Sequence, residues 1–92
     1  MTYRITHTPE AERQFLALPV HIQRRVARWY ALLAEDPRRA QTRQLSGHPE
    51  LRRVHAGHEY VIVFAVRESE VLVLIVRVGH RREIYRRLPD PE

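Results

Sequence analysis

The chain has 92 residues, 43% of them hydrophobic, with no cysteine and a formal net charge of +5. This length predicts a single domain over residues 1–92, and the missing cysteines exclude disulfides and thiolate metal sites. No apolar run reaches the roughly 18 residues that a membrane span needs, and the N-terminus does not begin like a signal peptide. We therefore expect a cytoplasmic protein.

The positive charge is carried by one residue type, because all 16 basic residues are arginines. Arginine binds phosphate through paired hydrogen bonds and stacks on bases, which lysine does less well. An acidic partner is therefore expected, such as nucleic acid, an anionic membrane or an acidic protein. A GC-rich genome would also favour arginine codons, but it does not explain where the arginines cluster.

The first third of the chain predicts a strand and two helices. Residues 3–7 alternate in polarity like a short strand. Thr8 fits a helix N-cap with Pro9 at the first helical position, and Pro19 ends this helix. A second helix follows, ending before Pro37, with an apolar stripe formed by Ile22, Val26, Trp29, Tyr30 and Leu33. The face opposite that stripe holds Arg24, Arg25 and Arg28.

The rest of the chain predicts a connecting loop over residues 37–50 and then three strands. The strands are expected at residues 51–56, 60–66 and 71–78, as an antiparallel meander. The last is nearly all apolar, as in a central strand buried on both faces. A short C-terminal helix or tail follows. This order predicts an α+β fold, with the helices on one sheet face and the other face open to solvent.

Candidate site residues cluster where these predicted strands end. Arg53 and His55 lie two apart and share the open face, while Val54 points towards the core. Arg81 and Tyr85 follow the last strand four residues apart, on one side of a helical segment. Together they suggest a basic groove in which the arginines hold phosphate and a base stacks on Tyr85.

Further basic residues are predicted to bind RNA around this groove: Arg52, Arg77, His80 and Arg82. Arg77 is expected near the end of the last strand, with both Val76 and Val78 on the opposite face. Two plainer interpretations remain open. The run from His80 to Arg82 also fits a solvated helix start, and Tyr85 also fits a packing residue.

No cofactor or metal is expected. His55, His58 and His80 do not form a pair at helical ligand spacing with a carboxylate as third ligand. The glycines at positions 47, 57 and 79 are isolated, so no glycine-rich phosphate loop is present, and no serine nucleophile motif occurs.

The order of elements and several motifs resemble the RelE/ParE superfamily of bacterial type II toxins. The matching stretches lie within residues 3–87: the strand leading into "TPEA", Leu18-Pro19, "LLAEDP", Leu45-Ser46-Gly47, "LRRVHAG" and "VRVGHRREIY". The resemblance implies a toxin neutralised by an antitoxin, expected to be an acidic segment that folds on binding, and no membrane partner. RelE-like members cut mRNA in the ribosomal A site, whereas ParE-like members inhibit DNA gyrase.

The two branches are favoured by different parts of the chain. The tail "VGHRREIY" resembles the RelE-like branch, which implies a cleavage role for Arg81 and Tyr85 and matches its two basic strand residues to Arg53 and His55. The strand "EYVIVF" resembles the ParE-like branch, because Tyr60 or Val61 stands where RelE-like members carry an arginine. We expect a ribosome-dependent endoribonuclease; the alternatives are a gyrase inhibitor and a degenerate toxin that acts only through its antitoxin.

The expected cleavage is attack of the ribose 2′-OH on the adjacent phosphate. Arg81 suits stabilisation of the charge that develops on phosphorus, with Arg53 as a second cation. The acid and base remain open. Tyr85 needs a nearby guanidinium to lower its pKa from about 10, whereas the pKa of His55 or His80, about 6.5, suits neutral pH.

Overall fold

The computed structural model describes residues 2–86 and consists of two helices packed on a five-stranded sheet. The elements in chain order are β1 (Arg4–His7), α1 (Pro9–Leu16), α2 (Val20–Glu35), β2 (Arg43–Leu45), β3 (His48–His55), β4 (Tyr60–Arg67), a 3₁₀ turn (Glu68–Glu70) and β5 (Leu72–His80). The strand order across the sheet is β1-β5-β4-β3-β2. The parallel pair β1–β5 joins the two ends of the chain, and all other pairs are antiparallel. The predicted α+β class is confirmed.

Helix α1 begins where the sequence predicts. The Thr8 hydroxyl accepts a 3.1 Å hydrogen bond from the amide of Ala11, and Pro9 opens the helix. These are the features that satisfy free amides and fix φ at a helix start. Beyond the end of β1, α1 also lies along the edge of β5, because the Gln14 side chain accepts a 3.0 Å hydrogen bond from the amide of Val78.

The first core cluster lies between the helices and the sheet. It contains the helix residues Ala11, Ile22, Val26 and Leu33 and the sheet residues Val54, Ala56, Ile62, Phe64, Val73, Ile75 and Val78. The predicted stripe of α2 and the inward direction of Val54 are therefore confirmed. Since alternate strand residues point to opposite faces, β4 sends Ile62 and Phe64 to this cluster, with Tyr60 and Val66 packed against it, and sends Val61, Val63 and Ala65 to the opposite face.

The opposite sheet face is apolar and buried, so the prediction that it is open to solvent is wrong. A second cluster occupies it, made of Leu51, Val61, Val63, Ala65, Val76 and Ile84. Ile84 comes from the segment after β5 and is only 3% exposed, so this segment packs back onto the sheet.

Two other boundaries differ from the prediction. Residues 37–50 are not simply a loop, because they contain β2 and the start of β3, joined by a turn in which Gly47 has a φ of +81°. Strand β5 continues past residue 78 to His80, where it pairs with Tyr60. Both departures have the same cause: pairing with a neighbouring strand extends regular structure through polar residues that show no alternation.

A β-bulge in the middle of β5 changes which way its side chains point. Val63 pairs with Arg77 and Phe64 pairs with Ile75, which leaves Val76 as the extra residue. Val76 therefore joins the second cluster while Val78 joins the first. The prediction that both valines lie on one face opposite Arg77 is wrong, because it assumed unbroken alternation.

Candidate functional site

Strand β3 places Arg53 and His55 at one end of the second sheet face. Arg53 pairs with Val63 and His55 pairs with Val61, and both valines belong to the second cluster. Arg53 is half-buried and His55 is exposed, so the apolar face gives way to a basic rim at this point. The sequence prediction that these two side chains share a face agrees with this register.

The segment after β5 brings two further candidates to the same rim. The amide of Arg81 donates a 2.8 Å hydrogen bond to the carbonyl of Glu59, and the amide of Ile84 donates a 3.2 Å bond to the carbonyl of His80. The first bond ties the segment to the chain just before β4, the second closes a turn, and the buried Ile84 side chain anchors the segment on the sheet. Arg81 and Tyr85 lie on either side of this anchor; Arg81 is exposed, and Tyr85 is 41% exposed, so part of its ring is buried.

The electrostatic interactions connect the strand residues with the tail residues. The pKa of His55 is lowered, first by burial and then by the positive charges of Arg53, Arg81 and His58. Arg53 also acts on Tyr85, in the direction that lowers the pKa of its phenol. Arg53, His55, Arg81 and Tyr85 therefore form one group, which we call the rim cluster.

The net effect on Tyr85 differs from what the sequence suggested. Burial raises the pKa of its phenol, and this outweighs the opposing effect of Arg53. A single guanidinium on the partly buried ring does not bring the phenol towards neutral pH. Tyr85 is therefore protonated at neutral pH, whereas the depressed pKa of His55 leaves its imidazole neutral there.

Arg77 is buried and only 8% exposed, unlike the surface position expected for an RNA-binding residue. One of its terminal nitrogens donates hydrogen bonds to the carbonyls of Ile84, at 3.3 Å, and of Arg86. Its Nε lies 3.8 Å from a carboxylate oxygen of Glu10 on α1. Arg77 thus ties the tail segment to the sheet and to the first helix.

The other predicted RNA-binding residues lie apart from the rim cluster. Arg52 contacts Thr42 through Nε and Nη2, at 3.2 and 2.7 Å, and pairs with Phe64 of the first cluster. It therefore lies on the helix-covered side of the sheet. Neighbouring arginines and burial lower the pKa of its guanidinium, with burial the larger cause.

His80 lies on the helix-covered side of the sheet, because it pairs with Tyr60, which packs against the first cluster. The ring of His80 lies edge-on to Tyr60 with centroids 5.8 Å apart, and its Nδ1 accepts a 3.2 Å hydrogen bond from the amide of Arg82. Its Nε2 lies 3.8 Å from a carboxylate oxygen of Glu59. The Arg82 side chain is exposed. Of the eight predicted site residues, the structure therefore brings four together.

Val61 occupies an informative position beside the rim cluster. It is fully buried, pairs with His55 on one side and with Gly79 on the other, and belongs to the second cluster. Tyr60 packs instead against the first cluster. If the RelE-like arginine aligns with Val61, the substitution replaces a cation next to His55 with an apolar side chain.

Two residues that organise the site were not among the candidates. Ile84 anchors the tail, and the carbonyl of Glu59 fixes the amide of Arg81. Ile84 left a signal in the sequence, because it is an isolated large apolar residue within a basic run. A main-chain carbonyl leaves none, since every residue carries one.

Residues 2–86 contain no group of three His, Cys, Asp or Glu side chains placed to hold a metal ion. Within the same part of the chain, neither helix is long and apolar enough to cross a membrane.

Several solved structures share this architecture. The toxin in the RelBE2 toxin–antitoxin complex of Mycobacterium tuberculosis matches with a TM-score of 0.79 and 24% identity, covering 90% of this chain and 95% of that chain. The isolated Escherichia coli RelE toxin matches with a TM-score of 0.75 and 20% identity, covering 85% of this chain and 83% of that chain. The matching chain of the Pyrococcus horikoshii RelE–RelB complex has a TM-score of 0.73 and 23% identity, and the match covers 90% of this chain and 99% of that chain. These likenesses establish a RelE-like fold.

The family assignment comes from the sequence itself. The model of the ParE toxin of type II toxin–antitoxin systems matches residues 5–85, nearly the whole chain. No curated protein sequence matches. The chain belongs to the ParE toxin family, within the RelE/ParE superfamily, and is the toxin component of a type II toxin–antitoxin system.

Proposed function

We propose that this toxin arrests translation by cutting mRNA on the ribosome, and hence acts in the cytoplasm. The observation that carries the proposal is the rim cluster, in which a histidine of lowered pKa lies among arginines beside a protonated tyrosine. Such a set supplies a base, a proton donor and fixed positive charge, which are the needs of phosphodiester cleavage by an internal hydroxyl.

In the proposed reaction, the ribose 2′ oxygen attacks the adjacent phosphorus while the bond from phosphorus to the 5′ oxygen breaks. His55 takes the proton of the 2′-OH, for which it must be neutral, and its lowered pKa keeps it so at neutral pH. Tyr85 orients the substrate or protonates the departing 5′ oxygen. The products are a 2′,3′-cyclic phosphate and a 5′-hydroxyl.

Arg81 stabilises the negative charge that develops on the phosphorane, and Arg53 holds the phosphate. Guanidinium groups remain charged at all relevant pH values and bind phosphate oxygens in pairs. Removal of a single donor to a developing oxyanion typically lowers the rate by about 10²–10³. The valine at position 61 is therefore compatible with cleavage at a reduced rate rather than with none.

Toeprinting of an mRNA on programmed ribosomes tests the proposal. The wild-type protein should produce a new break within the A-site codon, and Arg81→Ala should remove it. Arg4→Ala is the matched control, because Arg4 is an exposed arginine on the far edge strand. If the wild-type protein yields no break, or if Arg81→Ala cuts at the wild-type rate, the proposal is wrong.

A second candidate function, inhibition of DNA gyrase, is favoured by two observations. The matching family model is that of the ParE toxin, and β4 carries the buried Val61 next to His55. A gyrase supercoiling assay, run in parallel, distinguishes the two. Inhibition of supercoiling without a new break on the ribosome would favour the gyrase inhibitor, and neither effect would favour a degenerate toxin.

The proposed partner is an antitoxin protein, as in the RelBE complexes that share this fold. We expect an acidic segment that folds on binding and covers Arg53 and Arg81. Arg77 lies beneath the tail, so the antitoxin reaches it only by displacing that segment. A complex that leaves the rim cluster exposed would contradict this expectation.

A further inference from the structure

Helix α2 carries a row of basic side chains on the face turned away from the core. His21, Arg24, Arg25 and Arg28, which we call the α2 arginine row, follow the spacing i, i+3, i+4 and i+7. This spacing places all four along one side of a helix. Arg24 and Arg28 are exposed and Arg25 is half-buried. The proposed cleavage reaction uses none of them.

The row has no acidic counterpart in its own helix. The first turn of α2 carries no carboxylate, Pro19 supplies no side-chain cap, and the helix has a single acidic residue, Glu35, at its far end. None of the ion pairs found within residues 2–86 involves an arginine of the row. The positive charge of the α2 arginine row is therefore available to interact with solvent or with a partner.

The placement of these charges is unfavourable for the helix itself. Like charges at i+4, as in Arg24 and Arg28, destabilise a helix. Arginine is otherwise a good helix former, so this repulsion is a small cost to α2, and binding of an anionic partner would offset it.

The row continues around the β3–β4 turn towards the rim cluster. The Arg25 guanidinium lies against Gly57, which has a φ of +91° and where an added Cβ would lie 2.5 Å from Arg25 Nη1. A cavity of about 340 Å³ beside it is lined by the basic residues His21, Arg25 and His58, together with one carboxylate, Glu59, and with Ile22 and Tyr60. His58 also acts electrostatically on His55. Basic side chains thus connect the helix surface with the proposed catalytic residues.

We propose that the α2 arginine row binds the phosphate backbone of RNA outside the nucleotide that is cut. Arginine suits this task because its planar group binds phosphate oxygens in pairs whatever the base sequence. From His21 to Arg28 the row spans about 10 Å at roughly 1.5 Å per residue, enough to contact several phosphates. The choice of RNA as the polyanion rests on the proposed function, whereas the row of arginines without an ion pair is observed on α2 itself.

The test compares two double variants that each remove two arginines. Arg24→Gln/Arg28→Gln changes the row, keeps good helix formers and leaves the contact between Arg25 and Gly57 intact. Arg4→Gln/Arg67→Gln is the control, because both residues flank Leu72 at the opposite end of the sheet. Binding to a labelled single-stranded RNA of about 20 nucleotides and to programmed ribosomes is measured over a range of salt concentrations.

The row variant should bind about tenfold more weakly, and its plot of log affinity against log salt should be shallower by about 1.4–1.8, since each lost phosphate contact removes about 0.7–0.9. The control should change by less than about twofold. Equal losses in both variants would mean that only net charge matters and would overturn the proposal. So would unchanged RNA binding by the row variant, with or without a loss of binding to gyrase.

Cleavage by the wild-type protein, measured on the same ribosomes, separates this inference from the proposed function. If the wild-type protein cuts and the row variant binds RNA normally, the row proposal fails alone. If the wild-type protein does not cut but the row variant loses RNA binding, the proposed function fails and the RNA-binding row stands.

Discussion

Arg77 Nη1 donates a 3.3 Å hydrogen bond to the carbonyl oxygen of Ile84, seven residues further along the chain. The same nitrogen donates to the carbonyl of Arg86, so one buried guanidinium holds the main chain on both sides of Tyr85. The Ile84 side chain fixes the same segment from the sheet side, within the second cluster. The tail and β5 therefore form a single structural unit, and the position of Tyr85 depends on both contacts.

Replacing Arg77 with methionine should destabilise the protein and loosen the tail. Methionine fills similar space but cannot donate, and an unsatisfied buried carbonyl costs about 1–3 kcal/mol. We expect the free energy of unfolding, measured by urea denaturation, to fall by about that amount. Arg4→Met, at an exposed site, should stay within about 0.5 kcal/mol of wild type. An Arg77→Met protein as stable as wild type would show that the tail is held without this residue.

Ile84→Ala removes the apolar contact that holds the segment after β5 on the sheet. Truncating a buried isoleucine typically costs about 2–5 kcal/mol, and we expect the lower end because a segment after the last strand can partly readjust. Cleavage should fall as well, since Tyr85 loses its support. Leu16→Ala is the matched control, because Leu16 is 64% exposed and its loss should leave thermal stability nearly unchanged. Equal melting temperatures for the two variants would contradict this role for Ile84.

The sequence predicts the fold correctly where local features, such as helix caps and the spacing of apolar residues, agree with tertiary packing. Thr8 and Pro9 start α1 as expected, and the apolar spacing of α2 identifies its buried face. The prediction failed where pairing between distant segments decides the structure. Strand β2 exists because Arg43 and Gln44 pair with β3, and nothing in their own sequence favours a strand.

The site was predictable in part for the same reason. Arg53 and His55 share a face because strand periodicity is local, and this spacing could be read from the sequence. The position of Arg77 could not, because the bulge at Val76 interrupts the alternation. Bulges depend on register against a partner strand, which a single strand's sequence does not specify.

Arg81→Ala should reduce cleavage on the ribosome by about 10²–10³ if Arg81 stabilises the developing charge on phosphorus. Arg81 is exposed, so the substitution should change the free energy of unfolding by no more than about 0.5 kcal/mol. Arg81→Lys keeps the charge but loses paired hydrogen bonding, and should therefore cut at an intermediate rate. Single-turnover cleavage by the three proteins provides the measurement. A lysine variant as slow as the alanine variant would mean that hydrogen-bonding geometry, not charge, dominates.

The pH dependence of cleavage tests His55 as the base. Burial and the charges of Arg53 and Arg81 lower the pKa of His55 below its usual value of about 6.5. The rate should be constant near neutral pH and fall on acidification, with a midpoint below about 6.5. His55→Gln should cut slowly and lack this acidic limb. If the limb persists in His55→Gln, another group takes the proton.

The lowered pKa of His55 also predicts in which direction the free energy of unfolding changes with pH. The pKa of His55 is lower in the folded state, so the unfolded chain binds a proton first, and stability must fall as pH drops below about 6.5. His7 adds to this effect, because burial lowers its pKa too while it contacts Tyr30 at 2.8 Å. Urea denaturation at several pH values should therefore show a shallower acid decline in His55→Gln. His7 and, at lower pH, Glu68, whose pKa is lowered by its hydrogen bonds with Tyr3 and Arg38, contribute to the remaining slope. An unchanged slope would mean that His55 titrates normally, which would also remove the electrostatic support for its role as base.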